Sequence, residues 1–300
     1  MENHAEPLIQ FKPEHTFFVG IDSDGCVFDS MELKNKECFI PNIIKYWDLQ
    51  AVSKYARETG EFVNLYSHWR GTNRFPALIR VFDLLEKRPE IRKRGFAVPK
   101  AESLRRFIHS GVVLGNPSLE KAVRETRDPV LERALEWSLA VNRSVGEMVK
   151  NVPPFPLVVA CLEKLSRHAD IVVVSGTPGE ALRREWAESG LSRFASVIAG
   201  QEMGKKEDHI RLTSNGRYAA GRILMIGDAP GDMKAAHANG ALFYPIIPGL
   251  EEMSWERFHN DVMEIFLNEQ YTREYEKKLI DEFNRHLPET PPWENGETVI

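Results

Sequence analysis

Five short apolar runs stand out along the chain, one near the amino terminus and four in the second half. The first is Thr16 to Asp22, built around Phe17-Phe18-Val19-Gly20-Ile21; the others are Ile171 to Val174, Ser196 to Ala199, Ile223 to Ile226 and Leu242 to Ile246. Each is rich in Val, Ile or Phe and apolar at consecutive positions, the pattern of a strand buried on both faces. Helical segments separate the last four. Thr177 reads as the cap of one such helix, with Pro178 at its first position and Gly190 after its last turn, and Pro230 opens another that runs to Gly240. Strands alternating with helices predict an α/β fold with a parallel sheet and right-handed crossovers.

Between the first and second runs the pattern changes. Residues 30 to 151 contain no convincing strand but show helical spacing, as in Phe75-Leu78-Ile79-Phe82-Leu85 and Leu131-Leu135-Leu139. Pro76, Pro89, Pro99, Pro117 and Pro129 divide the stretch into pieces. The expectation is an all-helical domain, residues 32–154, inserted into a core domain formed by residues 1–31 and 155–300. The stiff Pro153-Pro154-Phe155-Pro156 segment marks the return. Two further helices are expected over Leu250 to Leu267 and Tyr271 to Leu287. The polar, proline-bearing tail from Pro288 to Ile300 is expected to have no fixed structure.

Composition narrows the function classes. A chain of 300 residues with 42% hydrophobic and 28% charged residues has ample material for two cores. Its net charge is −5 and no long basic block appears, which speaks against a nucleic-acid or membrane-surface partner. No apolar segment approaches the roughly 18 residues that a membrane span needs, and Met1 to His15 lacks a signal-peptide core. The cysteines, Cys26, Cys38 and Cys161, are odd in number and show no CxxC spacing, so neither a disulfide framework nor a structural zinc site is expected. Cys26 reads as a small buried thiol, and a reducing cytoplasm is the expected location.

The first run ends in two acids one residue apart, Asp22 and Asp24, followed by Gly25 where the chain can turn away. Ligands of open α/β sheets collect outside the carboxyl ends of strands. Acids placed there can hold a divalent cation, and one can attack an electrophile while the other moves a proton. Taken alone, the same residues also make an Asx turn. Three other groups stand at comparable places: Ser175-Gly176-Thr177, the adjacent Lys205 and Lys206, and Gly227-Asp228 with Asp232. A phosphomonoester is dianionic and repels a carboxylate nucleophile unless positive charge intervenes. Mg2+ held by Asp22, Asp228 and Asp232 would supply that charge. Ser175 and neighbouring backbone N–H groups can bind phosphoryl oxygens, and a lysine can neutralise the rest. Lys205 is favoured over Lys206 because Gly204-Lys205 follows the third strand more directly.

Asp22-Ser23-Asp24-Gly25-Cys26-Val27-Phe28-Asp29-Ser30, followed in order by Ser175, a lysine and the Asp228/Asp232 pair, resembles the haloacid dehalogenase (HAD) superfamily of phosphohydrolases. The resemblance covers about residues 16 to 31 and 155 to 248. It implies a Rossmann-like, doubly wound core carrying a type 1 helical cap. It also implies Asp22 as nucleophile, Asp24 as general acid/base, and Ser175, Gly176, Lys205 and Lys206 as the phosphate set. The metal set is then Asp22, Asp24, Asp228 and Asp232 with Mg2+, and Cys26 to Ser30 form a mobile flap. Dehalogenases of this kind lack an acid at the position of Asp24, so its presence argues for phosphoryl transfer.

The cap is expected to choose the leaving group. Tyr66 to Phe75 joins two predicted helices and concentrates His68, Arg70 and Arg74 among aromatic rings around Gly71. These three are candidate contacts to a polar or anionic leaving group. Trp137, Trp186 and Trp255 read as packing residues. The leading expectation is a Mg2+-dependent phosphatase for a small phosphorylated metabolite. The alternatives are a phosphomutase, a phosphonatase using a cap lysine (Lys34, Lys36, Lys45 or Lys54), and a non-catalytic phosphate-ligand binder. The sequence leaves monomer and homodimer both open.

Overall fold

The computed structural model describes residues 4 to 294, which divide into two units. One runs up to Met31 and resumes over Asn151–Leu287; the other comprises Glu32–Lys150 together with the described residues from Pro288 onward.

The first unit is built on five parallel strands: β1 (Phe17–Ile21), β2 (Ala169–Val174), β3 (Val197–Ala199), β4 (Ile223–Gly227) and β5 (Leu242–Pro245). Their spatial order is β3-β2-β1-β4-β5. Every residue of β1, β2, β4 and β5 is buried, as uninterrupted apolar runs require when helices cover both faces of a sheet. Val19, Ile21, Ile171 and Val173 point into one core cluster with Trp186, Trp255 and Phe266. Phe18, Val172, Val174 and Met225 point into another with Ile210 and Phe283. The period of two along each strand therefore feeds two separate cores. The chain leaves central β1 for β2 and β3, then returns to β4 and β5 on the other side. The order thus reverses beside β1, where ligand crevices of doubly wound sheets form.

Strand β5 lies at an edge, yet its backbone is not left open. The buried Glu276 carboxylate accepts Phe243 N at 2.8 Å, and the Tyr271 hydroxyl donates to Phe243 O at 2.7 Å. Both come from the carboxyl-terminal part of the unit, including the helix Arg273–His286, which covers an edge that would otherwise invite pairing with another chain. The return segment also differs from expectation. Pro154 already bridges Phe28, and Phe155 N donates to Val27 O at 2.9 Å, so residues from Asn151 lie with the sheet unit rather than with the inserted helices.

The second unit is helical among its described residues, with Ser53–Asn64, Arg74–Lys87 and Pro129–Met148 as its longest elements. Two of these starts are set locally: the Asn73 side chain accepts Phe75 N, and the Asp128 side chain accepts Val130 N and Leu131 N ahead of Pro129. Trp47, Phe75, Phe82 and Trp137 fill its core, with Trp47 edge-on to Phe82 at 5.1 Å and Phe75 edge-on to Trp137 at 6.2 Å.

The tail corrects the sequence expectation as far as Glu294; its last residues lie outside the described part. Trp293 packs edge-on against Phe62, with ring centroids 5.5 Å apart, and the Arg88 guanidinium stacks 4.2 Å from its ring. It closes a small cluster of Phe62, Val63, Val81 and Leu84. A polar composition hid one aromatic anchor strong enough to order its neighbours. Trp293→Ala is expected to destabilise this helical unit by about 2 kcal/mol, the loss of a half-buried aromatic and a cation–π contact. The measurement is faster hydrogen exchange in Ser53–Asn64 and Arg74–Lys87.

Candidate active site

Three strands deliver the site. Ile21 pairs with Val173 on one side and with Ile226 on the other. Asp22, Ser175 and Asp228 each directly follow the last residue of their strand, with β2 and β4 running one residue further than β1, so all three stand at the carboxyl edge of the sheet, and Asp22 N donates to Ile226 O at 3.0 Å. Gly25, at φ +74°, turns the chain in the left-handed region that a side chain resists. At the end of β4, a methyl on Gly227 would stand 2.5 Å from the Asp232 Cβ and Cγ. Only a glycine lets Asp232, from the helix Pro230–Ala238, fold back beneath the strand end. There its Oδ2 accepts Ala229 N at 3.1 Å.

Asp22, Asp228 and Asp232 are all buried, and each offers a carboxylate oxygen within 4.8 Å of the others. Lys206 Nζ joins two of them, 2.6 Å from Asp22 Oδ2 and 2.6 Å from Asp232 Oδ1. Asp22 Oδ1 accepts Ser23 N at 2.7 Å, so both nucleophile-candidate oxygens are held. Burial raises the Asp22 pKa to about 6, with Asp232 adding to the rise and Lys206 opposing it. Burial likewise raises that of Asp232. Burial works against the charge on Lys206, but the two carboxylates outweigh it and hold its pKa above the ordinary lysine value. Three buried carboxylates, two of them bound to Lys206, thus meet in a low-dielectric place. An all-oxygen cluster of this kind suits a hard divalent cation. The residues present therefore fit Mg2+.

The lysine assignment changes. Lys205 is exposed and precedes the helix Lys206–Ser214 in extended conformation, its backbone N bonded to Asp208 Oδ2. Lys206, the first helical residue, is the one that reaches the carboxylates. Adjacent residues project in different directions, and the helix start sits one residue later than proximity to β3 suggests.

Asp24 is also placed differently from the expected metal set. Its Oδ2 accepts the Thr177 hydroxyl at 2.7 Å and its Oδ1 accepts the Ser30 hydroxyl, and it is not among the clustered carboxylates. Thr177 does not cap a helix: the helix runs over Gly179–Glu188 with Pro178 before it, and the threonine hydroxyl is turned to Asp24 instead. Ser175 is buried, with its Oγ accepting Thr177 N at 3.2 Å, while Gly176 is exposed. Cys26 is fully buried, and burial together with Asp228 and Asp22 pushes its thiol pKa well up. It is not a thiolate nucleophile.

In the helical unit, the expected leaving-group residues separate. Arg70 is buried and donates to Leu65 O at 3.0 Å. Arg74 donates to Ser138 O, Ser138 Oγ and Asn142 Oδ1 at 3.1, 3.0 and 2.8 Å, and burial lowers its pKa to about 10. A desolvated guanidinium needs such acceptors, so both arginines brace their own unit. His68 alone of the three is exposed. Thr177, read from the sequence as a helix cap, and Trp186 and Trp255, read as packing residues, also shape the site through hydrogen bonds that the sequence does not show, because nothing in their spacing marks a partner more than a hundred residues away.

No family model matches the chain, and no curated protein matches it. Among solved structures it is similar to a predicted phosphoglycolate phosphatase from Haemophilus somnus, with 15% identity over 78% of this chain and 86% of that one and a TM-score of 0.45. It is also similar to a haloacid dehalogenase-like family hydrolase from Xanthomonas campestris, with 15% identity, 87% and 97% coverage and a TM-score of 0.43. A third, from Streptococcus pneumoniae and described as a hydrolase of the haloacid dehalogenase-like family, shares 16% identity over 80% of this chain and 90% of that one, with a TM-score of 0.41. No helix among the described residues is long and apolar enough to cross a membrane.

Proposed function

We propose that the protein is a Mg2+-dependent phosphatase of the HAD type, acting on a small phosphorylated metabolite through an aspartyl-phosphate on Asp22. The observation that carries this is the convergence of Asp22, Asp228 and Asp232 around Lys206 at the carboxyl edge of β1 and β4. A divalent cation held by the three carboxylates would offset the charge of a phosphate dianion. Asp22 attacks phosphorus, and the bond to the leaving oxygen breaks as Asp24 gives that oxygen its proton. Water then attacks the same phosphorus, passes a proton to Asp24 and releases phosphate from Asp22. Ser30 and Thr177 hold Asp24 through hydroxyls, which can either donate or accept, so they serve it in both protonation states. Lys206 steadies Asp22 while it is ionised, and the Ser175 hydroxyl with the Gly176 amide would bind phosphoryl oxygens.

The test is phosphate release over a panel of sugar phosphates, phosphoglycolate, nucleotides and polyol phosphates with Mg2+ present. Free phosphate is expected to accumulate, which a mutase would not produce. Chelation is expected to remove the activity and added Mg2+ to restore it. Saturating Mg2+, about 100-fold above its Kd, should stabilise the fold by about 2.7 kcal/mol, read as a raised melting temperature that Asp228→Asn removes. Turnover that survives chelation would overturn the proposal.

A further inference from the structure

The loop after β1 is anchored by two indoles. Trp186, in the helix Gly179–Glu188, donates its Nε1–H to Ser23 Oγ at 3.0 Å, and both residues are fully buried. Trp255 donates its Nε1–H to Cys26 O at 2.8 Å, again between fully buried residues. Ser23 is the hub of the loop. Its amide orients Asp22 Oδ1, its carbonyl accepts Val27 N and Phe28 N at 2.9 and 3.0 Å, and its hydroxyl receives the indole.

We infer that Trp186 is a positioning residue for the nucleophile, acting through Ser23. The inference rests on the phosphatase reading of the site. The helix that carries Trp186 starts just beyond Ser175-Gly176-Thr177, so a single rigid element joins the phosphate-binding turn to the loop that aims Asp22. Asp22 is thereby held in line with the place where phosphate would sit. A hydrogen bond between buried partners fixes direction more strictly than apolar packing, and loss of alignment at a reacting centre is felt in kcat rather than in binding. The indole N–H is the operative group. The ring also packs edge-on to Phe28, with centroids 6.1 Å apart, a contact that phenylalanine preserves in kind.

The experiment is a double-mutant cycle with Trp186→Phe and Ser23→Ala, each shown by melting temperature to be folded. Each single change is expected to lower kcat about tenfold with KM within about twofold, and the double variant is expected to be no worse than either, because one interaction has been removed twice. Multiplying losses, or an unchanged kcat in Trp186→Phe, would overturn the inference. Ser23→Ala probes the same bond from the other end should the larger substitution prevent folding. Exchange of the Ser23 amide hydrogen supplies a readout free of turnover. It is expected to quicken in Trp186→Phe at least about tenfold more than any fall in global stability accounts for, and an unchanged rate would count against the positioning role even where wild-type protein hydrolyses nothing. Absence of phosphate release by the wild type would instead sink the phosphatase reading alone.

Discussion

Asp22→Asn is expected to lower kcat by about 10^4-fold or more while the protein stays folded, the scale seen when a covalent nucleophile is deleted. An amide keeps the shape of the side chain and can still accept from Ser23 N, but it cannot form the proposed aspartyl-phosphate. The variant also reports on the strain of the site. Burial raises the folded-state pKa of Asp22 to about 6, above its ordinary 3.8. A raised carboxyl pKa means that the folded state binds the proton more tightly than the unfolded state. The stability this contributes is present below about pH 4 and is lost as pH rises through about 6. In metal-free protein the melting temperature of Asp22→Asn relative to wild type should therefore be higher at pH 7 than at pH 4. A difference that runs the other way would show that Lys206 more than offsets the burial of the charge.

Lys206→Met is expected to lower kcat/KM by about 10^3-fold, whereas Lys205→Met should change it by less than about twofold. The two residues are neighbours in sequence, and only one touches the acids. Removing Lys206 leaves Asp22 and Asp232 buried without their shared cation, and breaking a buried ion pair from one side typically costs about 3–5 kcal/mol. Part of that loss should return at low pH, where the carboxyls protonate, and part on adding Mg2+. Steady-state kinetics on both variants, with melting curves at pH 5 and pH 7, check the two effects together. Greater damage from Lys205→Met would place the wrong lysine in the site.

Much of the sheet was legible because its strands are short apolar runs ended by polar turns. Expected strand limits fall close to the observed ones, with Ala169 and Asp170 added to β2, Gly227 added to β4, and Thr16, Asp22, Ser196 and Ile246 left outside their strands. Asp22, Ser175 and Asp228 were legible because Asp22 ends such a run and the other two stand within two residues of the end of one, and a parallel sheet must bring those ends to one edge. The lysine was not. Choosing between Lys205 and Lys206 depends on where a helix begins after an irregular turn, and local sequence defines that start only to within a residue or two. Asp24 shows a different limit. Its spacing from Asp22 implies a shared metal, but the turn at Gly25 carries its carboxylate to Ser30 and Thr177.

The α/β core, the helical insertion and the kinds of group gathered at the sheet edge are written into local patterns of residues. Periodicity and turn chemistry are local, and they act wherever the residues lie. Packing in three dimensions set which lysine meets the acids, that Arg70 and Arg74 brace their own unit, that Trp293 is an anchor, and that Trp186 and Trp255 hold the loop bearing Asp22. Those outcomes depend on distant side chains meeting in a dry interior, where each buried donor must find an acceptor. That demand acts in three dimensions and leaves no periodic trace along the chain.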